Sequence, residues 1–252
     1  MFTNLDGLVW LLILLFPLFF LQKNLHREIQ VLFLLITHRS DITLFIFSLL
    51  FLPGVFLHEL SHFVMALLLR VRTGKFSLAP QPLENGRLRM GYVETAKTDI
   101  VRDALIGAAP LLSGGLFIIY SGITRLHLDI LWLDLVDGGP GKLITSLELL
   151  VKMPDFWLWF YLIFAVSSTM MPSSADRRAW LPIAVVILIL FGLVLTAGLG
   201  PWMLEHLAPP LNSSLRAVAA VFGISAAVHL VLLLPILGFR QLLEKLTGYQ
   251  AV

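Results

Sequence analysis

The sequence predicts an all-α polytopic membrane protein of about six or seven transmembrane helices, with a small membrane-surface β-hairpin near residues 75–97. Three observations predict it. Hydrophobic residues make up 58% of the chain and charged ones only 13%, with a mean hydropathy of +0.89, far from the composition of an ordinary water-soluble domain. Apolar stretches that span or nearly span a hydrocarbon core recur along the chain. Basic residues collect in alternate connections rather than in one patch, which suits membrane topology and excludes a nucleic-acid partner.

The apolar stretches fall at 8–22, 53–71, 104–123, 156–171, 179–199 and 217–238. No Lys or Arg lies between Met1 and Gly7, so Leu8 to Gln22 is expected to be a retained first span rather than a cleaved leader. The segment Ile29 to Leu52 is the ambiguous one. His38, Arg39 and Asp41 interrupt it, and three ionisable groups at mid-bilayer are costly, so it is expected at the interface, re-entrant, or as a seventh span.

Arg70, Arg72, Lys75, Arg87, Arg89, Lys97 and Arg102 place the connection 70–103 in the cytoplasm. The connection 124–155 is richer in acids and goes to the other side. Arg177 and Arg178 return to the cytoplasm, 200–215 has no basic residue, and Arg240 and Lys245 put the C-terminal end inside. Within 70–103, Pro80, Pro82, Gly86 and Gly91 break up any helix, while Lys75 to Leu78 and Arg87 to Thr95 favour extended chain. The whole of 1–252 reads as one integral membrane domain: N-terminal spans at 1–49, a core at 50–185 and C-terminal spans at 186–252. The setting expected is a prokaryotic plasma membrane.

The chain has no cysteine, so any metal must be held by His, Asp or Glu. Residues 58–62 read His-Glu-Leu-Ser-His. On a helix the spacing of four stacks His58 and His62 on one face, about 6 Å of rise apart, as a shared zinc ion requires. Glu59 then stands beside a zinc-activated water as the general base. The motif lies in an otherwise apolar stretch, where two imidazoles and a carboxylate carry a desolvation cost of roughly several kcal/mol unless paired or metal-bound. A metal-free interhelical polar cluster is the competing explanation.

A catalytic zinc normally takes three protein ligands. Asp176 is the preferred third, since it follows the helix-breaking Met171-Pro172-Ser173-Ser174-Ala175 segment. The other reading makes it a loop aspartate paired with Arg177 and Arg178 at the surface. Asp134, Asp137, Glu148 and Glu205 compete for the role but fall in connections assigned to the other side. His206 and His229 read as hydrogen-bonded packing residues.

The order of these parts resembles the site-2 protease family of intramembrane zinc metalloproteases over roughly residues 50–185. His58-Glu59-Leu60-Ser61-His62 matches its HExxH motif, the segment 75–97 looks like its membrane-surface strands, and Gly107-Ala108-Ala109-Pro110 resembles its Gly-Pro element. Phe164 to Asp176 looks like its second ligand motif. The resemblance implies zinc ligation by His58, His62 and Asp176, a catalytic Glu59, and transmembrane proteins as substrates. Thr169 stands where that motif has Asn, the bend to Asp176 is one residue shorter, and Arg177 replaces a Gly. These departures motivate the alternative of a non-catalytic membrane scaffold or regulator; a metal or proton transporter is a third expectation.

Overall fold

The computed structural model describes residues 6–82, 88–134 and 139–248, and it is helical nearly throughout. Six of the helices carry the six apolar stretches: α1 (Asp6–Thr37), α3 (Leu52–Leu68), α4 (Ile100–Thr124), α7 (Phe156–Thr169), α8 (Trp180–Thr196) and α10 (Ala208–Thr247). Shorter helices join them: α2 (Ser40–Leu50), α5 (Leu128–Leu133), α6 (Gly139–Val151) and α9 (Gly200–His206). Among the described residues, α1, α4 and α10 are long and apolar enough to cross a membrane unbroken. The bent pairs α2–α3, α6–α7 and α8–α9 raise the count to six if each is one span. The result is an all-α membrane architecture of three to six spans.

The ambiguous segment Ile29 to Leu52 is not one helix but is divided between the end of α1 and α2. Residues 29–37 continue α1, so the first helix does not stop at Gln22; Lys23 and Arg27 are exposed on a helix that runs past them. Glu28 is what makes this passage possible. It is 1% exposed, yet it is bracketed by Arg27 at 2.8 Å and by Arg240 of α10 at 3.0 Å. The break falls at His38, which adopts a left-handed φ of 53°, and α2 then starts beside the Arg39–Asp41 pair.

Helices α1 and α10 run parallel, as their contacts at both ends require. Near the start of each, the Asn212 side chain accepts from the Gly7 amide at 2.8 Å and Arg216 pairs with Asp6; further along, Glu28 meets Arg240. This pair leans on α7 and α4, while α3 is wedged between α4 and α7. Gly54 lets α3 approach α7 closely, because a Cβ there would collide with the Ala165 carbonyl and the Thr169 hydroxyl. Large apolar side chains stay exposed along α8, where no residue is buried, and along α1, where Phe16 is 75% exposed. Apolar surface on this scale suits lipid contact.

The surface hairpin is present as two small antiparallel pairs. β1 (Thr73–Ser77) pairs with β4 (Tyr92–Thr95), and β2 (Gln81–Pro82) pairs with β3 (Leu88–Arg89). Gly86 and Arg87 lie outside the described residues. α3 hands the chain to this sheet through a tight C-terminal cap. Arg70 turns left-handed at φ 56°, its amide reaches the Leu67 carbonyl at 3.0 Å, and the Val71 amide reaches back to Ala66 at 2.8 Å. On the other side, the Asp99 side chain caps α4 by accepting from the Arg102 amide at 3.0 Å. The Arg178–Asp103 pair, at 2.6 Å, joins the 172–179 connection to the start of α4, so the two basic connections share one end of the bundle.

Gly54→Leu is expected to lower the protein's unfolding free energy in detergent by about 2 kcal/mol or more, because the side chain has only backbone to push against. Unchanged unfolding would show that α3 and α7 do not pack as closely as described.

Candidate metal centre

The motif sits mid-way along α3, and its two imidazoles are held by carbonyls from two different helices. His58 Nδ1 lies 2.7 Å from the carbonyl oxygen of Thr169, the last residue of α7. His62 Nδ1 lies 2.8 Å from that of Ile106 in α4. A carbonyl can only accept, so each Nδ1 carries a proton, and in the neutral ring each Nε2 presents a lone pair. Those two Nε2 atoms face one another at 3.2 Å. Two lone pairs at that distance repel unless a proton or a metal cation stands between them.

Asp176 completes the group. Its carboxylate lies 3.3 Å from His62 Nε2 and 3.9 Å from His58 Nε2. The 170–179 segment reaches the pair because Gly107 of α4 offers no Cβ where the Asp176 backbone carbonyl rests. Its own loop fixes the carboxylate, with the Ser173 amide donating to it at 2.7 Å and the Ser173 hydroxyl accepting from the Asp176 amide. Burial favours the neutral acid, while the hydrogen bond from the Ser173 amide favours the ionised carboxylate. Asp176 is therefore an anion facing two lone pairs.

Asp176 does not form the surface pair with Arg177 and Arg178. Arg178 is taken by Asp103, and Arg177 reaches the Ser173 carbonyl at 3.3 Å, so neither guanidinium claims the aspartate. The donor atoms of His58, His62 and Asp176 lie within 4.8 Å of one another, and among the described residues this is the group that could hold a metal ion. A tetrahedral ion bound at about 2.0–2.1 Å would set its ligand atoms about 3.3 Å apart. The observed 3.2 Å between imidazoles and 3.3 Å from His62 to Asp176 Oδ1 fit that, whereas His58 faces the other oxygen, Oδ2, at 3.9 Å, so shared binding asks the carboxylate to turn. With two neutral imidazoles and one carboxylate, a dication would leave a single positive charge, which the Glu59 carboxylate next in sequence can balance.

Glu59 is 8% exposed, and its side chain packs under the surface sheet. A Cβ on Gly91, just before β4, would come within 2.9 Å of the Glu59 Cγ and 3.0 Å of Val55. The sheet therefore roofs the site through a glycine.

The competing carboxylates are elsewhere. Asp134 accepts from the Ser146 hydroxyl at 2.5 Å, Glu148 and Glu205 are exposed, and Asp137 lies outside the described residues. His206 is exposed and leans on the Trp202 carbonyl at 3.0 Å, whereas His229 is 0% exposed and bonded to Ser168 and Ser225. Sequence reasoning misses the two carbonyls that orient the imidazoles and the glycine over Glu59. Backbone oxygens have no residue signature, although Thr169 stood in the right motif.

Comparison of the chain with protein-family models, with curated proteins and with solved structures finds no match.

Gly107→Val is expected to push the Asp176 backbone away from α4 and raise the dissociation constant for a divalent ion by about tenfold or more, measured by chelator competition. Wild-type affinity in a folded variant would mean that Asp176 does not depend on this contact.

Proposed function

We propose that this chain is an intramembrane zinc metalloprotease, resembling the site-2 protease family, that hydrolyses peptide bonds in or near the transmembrane segments of other membrane proteins. One observation carries the reading: two imidazole lone pairs and an ionised carboxylate converge in an apolar helical bundle, with a glutamate one residue from the first imidazole. A divalent ion held by His58, His62 and Asp176 would polarise a scissile carbonyl and acidify a water towards neutrality, and zinc suits a site of nitrogen and oxygen donors.

The chain's own residues supply the rest. Glu59 takes the proton from the attacking water and passes it to the departing amine, so both proton transfers use one carboxylate. The carbonyls of Thr169 and Ile106 keep both imidazoles in the tautomer that can bind metal. From His58 and His62 to Arg70 just past α3 is about 12–18 Å along the helix, which supports chemistry within the apolar layer with water admitted from the basic end, the cytoplasmic one in this reading. The sheet roofing Glu59 offers a strand edge at β4, so a substrate segment that unwinds can pair its backbone there before its carbonyl reaches the site.

The test is zinc content and cleavage of a model transmembrane substrate by wild type and Glu59→Gln. The variant should keep stoichiometric zinc while turnover falls by about 10²-fold or more. Equal turnover by both proteins ends the proteolysis reading. A wild type that holds zinc and cleaves nothing favours the non-catalytic scaffold.

A further inference from the structure

The described structure holds a second buried polar cluster, away from any metal ligand, where α1 and α10 meet the end of α7. His229 is 0% exposed, and its Nδ1 lies 2.7 Å from the carbonyl of Ser225. That carbonyl fixes the Nδ1–H tautomer, so Nε2 accepts, and the Ser168 hydroxyl donates to it at 3.0 Å. The Phe164 ring packs against the imidazole at 5.6 Å between centroids. From α1, the Gln22 side-chain amide donates to the backbone carbonyl of the same Ser168. Ser168 is thus gripped twice, once by its side chain and once by its main chain, from two different helices.

The next residue is Thr169, whose carbonyl orients His58. The final carbonyls of a helix have no partner within it, so their direction depends on whatever binds them from outside. At the end of α7 the Val166 carbonyl accepts from the Met170 amide, that of Ser168 from Gln22, and that of Thr169 from His58. The last turn of α7 is therefore anchored by α1 and α10 on one side, and it anchors an imidazole on the other.

We infer that Gln22, Ser168 and His229 are positioning residues for His58, holding the end of α7 so that the Thr169 carbonyl fixes the direction of His58 Nε2. The inference rests on the proposed metal centre. It gives α1 and α10, which carry no ligand, a part in the site. A buried His229 that only fills the core would contribute to stability without touching the metal. Positioning predicts something more: metal affinity and ligand-field geometry change beyond any change in stability.

The experiment compares full-length wild type, Ser168→Ala, His229→Leu, His229→Gln and Gln22→Met in detergent. Zinc dissociation constants come from chelator competition, visible spectra from the cobalt-loaded proteins, and unfolding temperatures from the same preparations. Ser168→Ala, His229→Leu and Gln22→Met should each weaken zinc by about threefold to thirtyfold and shift the cobalt bands. His229→Gln, which keeps an acceptor for the Ser168 hydroxyl, should recover most of the affinity. If His229→Leu does not fold, the half-buried Gln22 position carries the same prediction. Metal-binding wild type with unchanged affinity and spectra in folded variants overturns the positioning role alone. A wild type that takes up neither zinc nor cobalt overturns the metal centre and the positioning role together.

Discussion

The repulsion between two imidazole lone pairs, set 3.2 Å apart inside an apolar bundle, is the constraint around which the chain is arranged. Neither ring can turn away, because each has its Nδ1 proton committed to a carbonyl on a neighbouring helix. An ionised Asp176 adds a negative charge to the same point, and the surrounding apolar side chains provide little screening. A structure of this kind persists when a cation balances it. The proposed zinc ion would supply that cation.

Close approach of backbones is how the fold delivers these groups. Gly54 lets α3 lie against the end of α7, Gly107 admits the Asp176 carbonyl, and Gly91 lets the surface sheet rest on Glu59. Each glycine faces one of the site's components, and each contact would be lost to a single methyl group. In a bilayer, where lipid tails are as apolar as leucine, such packing takes the place of the hydrophobic drive between helices. The same helix that carries both histidines ends in the Arg70 cap and turns at once into β1, so ligand, base and roof are linked over a short stretch of chain.

Much of this was legible in the amino-acid sequence where the signal is local. The apolar stretches coincide with helices, the Pro- and Gly-rich segment forms the small sheet, and the spacing of His58 and His62 puts both rings on one face of α3. What was not legible depends on partners distant in sequence. The apolar stretch 8–22 looks complete at Lys23, yet the helix runs on to Thr37 and its buried Glu28 is ion-paired with Arg240 of α10. The surface pair that the sequence allows Asp176 is not formed, because Arg178 pairs instead with Asp103, 75 residues before it. Thr169 departs from the Asn of the resembled motif in its side chain, while its contribution to the site is a carbonyl that any residue could supply.

The proposed metal centre holds one divalent ion between two histidines of α3 and an aspartate of the connection that follows α7. X-ray absorption spectroscopy at the zinc edge of the purified protein tests it most directly. The account predicts a four-coordinate shell at about 2.0–2.1 Å with the multiple-scattering signature of two imidazoles, the rest oxygen. A shell of oxygens without imidazole scattering would contradict it.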